Sequence, residues 1–584
     1  MSLPDPRSLY LDAGAHRVFA RFHAAALAPG VPSVGVVLAP QFGWEAMCSA
    51  RPRRTAAQQL AAAGIAVLRI DHAASGDSSG SPTDRGLVDA WIAGIDVAAR
   101  WLRSDAGYER VAVLGLELGG VAALCAAASG TPVDDLILWN VPASGSKLLR
   151  GLRAFARFES SPAAPPGLEA SVPDDTLVAG GYAISPATFA DLAALDLTTR
   201  LGSLRPGQRV LLLGRDDLDP DATLQAALRD AGAALDTAPG PGYSAMTAEP
   251  TVTEPPTAAI AEITTWLHAG AGPAVVAAAP SVGAATTLAL TVGDHGVRET
   301  PLAIEQPFGT LFGILAEPDG EPAPLCVVLL NAGALTHTGP NRMWVEAARR
   351  WAGAGVPSLR LDLEGIGEAD GDASAYADVG AFYTEAMIPQ VRSALDALVA
   401  RGLPPRFVLL GLCSGAYWAL HTALQDERVS AAYLINPRAL LWDDQFLALQ
   451  QVRKLRKLAR PETWRKLRRG QPTTHPSVIA RAAVELTLAR ARPGAAAIPT
   501  RPAFGALFDA LEATGARAEI LFTGDEPLYD ELRRGGELAQ LERWPSITLT
   551  AVADTAQTHT LRPLWCQEHV HKLLDAALAR DLAG

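Results

Sequence analysis

Short, wholly apolar runs alternate along the chain with longer stretches of helical spacing. VGVVLAP (Val34–Pro40), GIAVLRID (Gly64–Asp71), VAVLGLELGG (Val111–Gly120), LILWNVP (Leu136–Pro142) and RVLLLG (Arg209–Gly214) each contain a buried strand. Thr55–Ala63 is an Ala-rich helix, and Trp91–Arg103 carries helical periodicity. Tyr10–Ala25 predicts a leading hairpin, and Ser75–Gly80 a polar turn. Strands without polar alternation are covered on both faces. Their regular interleaving with helices predicts a mostly parallel, doubly wound sheet.

The second half repeats the first in order. Thr286–Val292 and Gly309–Pro318 predict an opening hairpin. LCVVLLNAG (Leu325–Gly333) parallels VGVVLAPQFG, and GVPSLRLDLEGIGEADGD (Gly355–Asp372) parallels GIAVLRIDHAASGDSSG. FVLLGLCSGA parallels VAVLGLELGG, AYLINP (Ala432–Pro437) parallels LILWNVP, and EILFTGDEP (Glu519–Pro527) parallels RVLLLGRDD. Five strands matching in order, with their turns, indicate a tandem duplication. Residues 271–285, inside a stretch of Ala, Gly and Pro almost without charge, form the expected linker between units at 1–270 and 286–584.

The stretch that carries chemistry is FVLLGLCSGAYWAL, Phe407–Leu420. A buried strand, a tight turn flanked by Gly411 and Gly415, and an apolar helix make the context of a nucleophile elbow. The central residue is Cys413, so the pattern is G-x-C-x-G. The competing reading is a buried core cysteine. In the first half the same place holds Glu117, in Gly115-Leu116-Glu117-Leu118-Gly119.

Bulk properties narrow the setting. A chain of 584 residues exceeds one core. Hydrophobic content of 49% and a mean hydropathy of +0.14 fit a globular protein. No apolar run is long enough to predict a membrane span, and MSLPDPRSLYLDAG has no signal-peptide pattern. A net charge of −12 argues against a nucleic-acid partner. The five cysteines are scattered and never in C-x-x-C spacing, which predicts a reducing, cytoplasmic setting without disulfides or a zinc site. No phosphate loop, dinucleotide fingerprint or metal cluster occurs, so no cofactor and no metal is inferred.

The D-x-x-G-x-G turn (Asp362, Gly365, Gly367) and the elbow resemble those of the α/β-hydrolase superfamily. More narrowly, GIAVLRID, GLELGG, LILWNVPASGSKLL and VAGGYAIS of the first half resemble type 2 hydrolases associated with exosortase A systems. GLCSGA, LINPRALLW and ETWRKLRRGQ of the second half resemble the type 1 members. The resemblance implies two tandem α/β-hydrolase domains, each with a helical cap insertion. It also implies a non-nucleophilic residue at the first elbow.

In this fold the order is nucleophile, acid, histidine. His559 follows the last predicted strand, Ile547–Val552, whereas His569 and His571 fall in the closing helix and are expected to face solvent. The acid falls just past EILFTG. Glu526 and Asp525 are the candidates, and Asp530 is a third, also suited to capping a helix. The oxyanion hole would take the N–H of Ser414 and that of Gly333 or Ala334. His337 is placed at the mouth of the pocket, with an exposed loop histidine as the alternative. The first half lacks these partners. After Gly214 it has only His268, and the position for a catalytic histidine reads GPGYSAMTAEP.

A thiolate beside an imidazolium is a strong nucleophile at neutral pH. The expected activity is acyl hydrolysis or transfer through a cysteine acyl-enzyme, with thioesters favoured. Lactone or carbon–carbon bond hydrolysis on the same site, and a non-enzymatic scaffold of two hydrolase-like domains, are the alternatives. The second cap, about 440–500, carries Arg453, Lys454, Arg456, Lys457, Arg465 and Arg468 among Leu and Trp positions. It reads as a solvated face or as a dock for an acidic partner, such as coenzyme A phosphates or an acyl carrier.

Overall fold

The structure is a computed structural model. It describes residues 5–26, 34–159, 162–216, 218–270, 284–442, 504–524, 526–552 and 558–583. The second cap with its basic stretch, most of the linker, and Asp525 lie outside the described residues.

Among the described residues, the chain forms two large sheets. The first has eight strands in the spatial order Arg7–Ala13, His16–His23, Ile65–Ile70, Val34–Ala39, Arg110–Leu116, Asp135–Trp139, Arg209–Leu213 and Ala234–Ala238. The leading hairpin pairs antiparallel and the other six strands are parallel. The second has nine: Leu288–Val292, His295–Gln306, Gly309–Pro318, Ser358–Asp362, Cys326–Leu329, Phe407–Leu412, Val429–Ile435, Arg517–Phe522 and Ile547–Ala551. Three lead in antiparallel and six are parallel. Apart from the extra edge strand, the two orders are identical. Each half has the α/β-hydrolase fold.

Strand periodicity builds two cores in each half. In Phe407–Leu412, Phe407 and Leu409 face one core, and Val408, Leu410 and Leu412 face the other. Val111 and Val113 likewise oppose Ala112 and Leu114 in the first half. This two-sided burial is why the runs are apolar without alternation.

Two strands depart from the expected pattern. The opening element of the second half is a three-stranded meander, because His295–Gln306 pairs between the two predicted strands. That strand holds Arg298, Glu299, Pro301 and Glu305, which break its apolar pattern, yet Glu299 is fully buried by ion pairing. Ala234–Ala238 is a mostly exposed edge strand, so it carries no apolar run. The first cap comprises the helix Gly145–Glu159, the hairpin Leu177–Ala179 and Tyr182–Ile184, and the helix Pro186–Ala193. No helix among the described residues is long and apolar enough to cross a membrane.

The halves meet through buried charge. Asp77, from the polar turn of the first half, enters the second and pairs with Arg360 and with His337 Nε2 at 2.7 Å. His337 Nδ1 meets Asp362 Oδ2 at 2.6 Å, so the ring lies clasped between two carboxylates. Arg360 and Arg349 each reach Glu299 at 2.7 Å, and Arg349 donates to the carbonyls of Asp77 and Ser78. Arg69 grips Glu368 with two hydrogen bonds. His337 is thus neither at a pocket mouth nor on an exposed loop. Burial opposes its charge, but Asp77 and Asp362 overcome this and push it up to about 10. A small apolar cluster, including Tyr10, Phe19, Leu288 and Phe312, bridges the sheets beside this network.

Candidate active site

The elbow follows from a steric crossing. A Cβ on Gly411 would meet the Gly415 carbonyl carbon at 2.0 Å, and one on Gly415 would meet Asn331 O at 2.2 Å. Strand, helix and neighbouring loop therefore approach closely only with glycine at both places. The residue between them is forced to φ 59°, ψ −112°, and that residue is Cys413. Cys413 is partly exposed as a residue, whereas Cys48, Cys125, Cys326 and Cys566 are buried.

Three loops at the carboxyl ends of the sheet converge on this sulfur. His559 follows the last strand, and Glu526 sits at the start of the helix Pro527–Gly535. Glu526 Oε1 lies 2.9 Å from His559 Nδ1, which leaves Nε2 for the thiol. The imidazole and thiol interact by charge and by a hydrogen bond. Asn436 fastens the loops, donating to Thr523 Oγ1 at 2.8 Å and to the His559 carbonyl at 3.1 Å. Asp530 instead pairs with Arg533 and Arg534 on its own helix. His571 is mostly enclosed near Arg350 and Glu346, not turned to solvent, because the closing helix packs on the helix Met343–Gly353.

Burial alone would push the Cys413 thiol up. The His559 charge and hydrogen bond outweigh it, aided by Arg438 and Tyr383, and hold the thiol at about 7. Burial opposes charge on His559 too, but the Cys413 thiolate and Glu526 raise it to about 10. Between these values the site holds a thiolate–imidazolium pair. Tyr383 and Asn436 carried no spacing signal. Asn436 stands in AYLINP, where only its place just past a strand marked it.

The oxyanion candidates are near the sulfur. The Ser414 N–H opens a helix and donates to no protein group among the described residues. The Gly333 N–H is engaged: it donates to Ser414 Oγ at 2.9 Å. Asn331 Nδ2 braces the loop on Leu335 O and Asp362, and the His337 N–H binds Asp362 as well. A narrow crevice beside this loop takes one wall from Met47, Ala50 and Arg51 of the first half, and the other from Ala334, Thr336 and Tyr376.

The first elbow has the same backbone and different surroundings. Glu117 lies at φ 47°, ψ −105°. Its carboxyl is buried and accepts a hydrogen bond from the Phe42 N–H. Burial first, and the charge of Glu45 second, push it up to about 8. Where a histidine would stand, Tyr243 donates to Glu45 Oε2 at 3.2 Å. His268 lies on the final helix of that half, Thr257–Ala269.

No protein-family model matches the chain, and no curated protein matches it. Solved structures do resemble parts of it. Est1E from Butyrivibrio proteoclasticus with bound ferulic acid is 16% identical, covers 44% of this chain and 97% of its own, and has a TM-score of 0.32. A proline iminopeptidase from Mycobacterium smegmatis is 16% identical over 45% of this chain and 98% of its own, with a TM-score of 0.29. The Pyrococcus furiosus esterase Pf2001 is 16% identical over 46% and 91%, with a TM-score of 0.32. Among the described residues, no group of three His, Cys, Asp or Glu side chains is placed to hold a metal ion.

Proposed function

We propose that the second half, residues 286–584, is a cysteine acyl hydrolase or acyltransferase, and that the first, residues 1–270, is a non-catalytic partner joined to it through 271–285. The observation that carries this reading is the Cys413 thiol on a strained elbow, held low beside His559, with Glu526 on the far ring nitrogen. Glu526 rather than Asp525 is assigned as the acid on that contact.

The chemistry follows the chain's own groups. The Cys413 thiolate attacks an acyl carbonyl, and the new oxyanion is met by the Ser414 N–H. A second N–H comes from Gly333, once the Ser414 hydroxyl turns aside. Its counterpart in the first half, Phe42, already binds a carboxylate, which favours Gly333 over Ala334. His559 protonates the leaving group, then takes a proton from water or another acceptor that cleaves the acyl-enzyme. Thioesters suit this site best, because a thiolate exchanges with a thioester at little cost. The resemblance of the two halves to exosortase-associated hydrolases is consistent with such a site and does not fix the acyl group. Coenzyme A or an acyl carrier is the proposed donor class, and the first half shapes the crevice beside the oxyanion loop.

The test is a titration. Iodoacetamide should modify Cys413 with a rate that rises through about pH 7, and the modified protein should no longer turn over acyl thioesters. A thiol titrating at its ordinary value of about 8.5 would instead support a scaffold without catalysis.

A further inference from the structure

One group touches the sulfur that the triad does not use. Tyr383 Oη lies 3.3 Å from Cys413 Sγ. The ring is buried and held by two aromatic neighbours, and its backbone is pinned by a hydrogen bond. It stacks on Trp442 at 4.3 Å and 7°, and meets Tyr417 edge-on at 5.6 Å. The preceding carbonyl, Phe382 O, accepts from Trp418 Nε1 at 2.7 Å. Trp418 stands on the helix that starts at the elbow, so one element positions both the phenol and the nucleophile. Burial and the neighbouring thiolate push the phenol well above its ordinary value. At any working pH it keeps its proton and acts as a donor.

A donor at this spot meets two anions in turn. In the resting site the charge sits on sulfur. After attack the sulfur is a neutral thioether, and the charge sits on an oxygen one carbon away. That oxygen and the sulfur share one carbon, so a hydroxyl already in contact with the sulfur lies near the oxygen as well. Resting on the acyl-enzyme reading above, we propose that Tyr383 is a catalytic residue, donating its O–H to the Cys413 thiolate and then to the substrate oxyanion. The S–C bond forms as the carbonyl π pair moves to oxygen. The phenol retains its proton throughout. On collapse the bond to the leaving thiolate breaks, and His559 supplies the proton to that thiolate.

Tyr383→Phe removes one oxygen and keeps the stacking, with circular dichroism confirming the fold. The apparent pKa of Cys413 alkylation by iodoacetamide should rise by about one to two units, the value of a hydrogen bond to a charged group. Turnover of a small aryl thioester at saturation should fall about 100-fold, as for loss of one oxyanion donor, with KM within about threefold. Alkylation and turnover profiles that overlay those of the parent overturn the proposal. A shifted alkylation profile with unchanged turnover, measured where both thiols are ionised, overturns the oxyanion role. Failure of Cys413 to alkylate in the parent chain overturns the acyl-enzyme reading itself, independently of the Tyr383 variant.

Discussion

Cys413 and Glu117 sit at the same point of the same fold, within about 12° in φ and 7° in ψ. Both residues are partly exposed, yet one is a thiol held low by an imidazole and the other a carboxyl pushed up by desolvation and by Glu45. The strained backbone therefore belongs to the crossing of strand and helix and is not itself a sign of catalysis. What differs is the ring facing it. His559 with Glu526 stabilises an anion at 413, whereas burial and Glu45, which Tyr243 contacts, disfavour one at 117. In the first half the carboxyl itself occupies the Phe42 N–H, so the space for an oxyanion is filled by the protein.

Four experiments press on this contrast. Cys413→Ala should lower thioester turnover by 10³-fold or more, the scale seen when a nucleophile is removed from such a site, while Glu117→Gln leaves it unchanged. Turnover surviving in Cys413→Ala and lost in Glu117→Gln would reverse the assignment. Next in size is the join between the halves. Asp77→Asn leaves the buried Arg360 and His337 with one carboxylate each, Glu299 and Asp362, and the weakened pairing should cost about 3 kcal/mol in a denaturant titration.

Smaller is the effect of pH on the first elbow. A buried acid raised to about 8 keeps its proton in the fold while the unfolded chain loses it near 4.5. Stability is then fully present below about 4.5 and declines as pH rises to about 8. Glu117→Gln should flatten that decline, seen as a smaller drop in Tm between pH 5 and 8. Smallest is the alkaline loosening of the join. His337 is raised to about 10, so its contribution is complete below about 6.5 and fades as pH passes 10. In His337→Gln, whose side chain does not titrate, the alkaline fall in Tm should be reduced.

Much of the site was legible because its rules are local. Gly411 and Gly415 bracket a single residue, and His559 follows the last strand. Glu526 precedes Pro527 and Leu528 at a turn that such a fold reuses. The repeat was legible because both faces of each sheet are buried, which writes apolar runs into both halves. The join was not. Asp77, Arg360, Glu299 and His337 are charged residues in unremarkable settings, and only the packing of one half on the other buries and pairs them. His337 was misplaced for that reason, since a loop histidine in isolation belongs at a surface. Tyr383 was hidden too, because it reaches the sulfur through a chain excursion with no periodicity.

The most direct measurement is the mass of the protein after brief exposure to an aryl thioester, followed by peptide mapping. One acyl group is expected on Cys413, disappearing as product forms and absent in Cys413→Ala, and Ser414→Ala should still acylate. An adduct on Ser414, or turnover with no adduct in a Cys413→Ala protein, would contradict the Cys413 assignment.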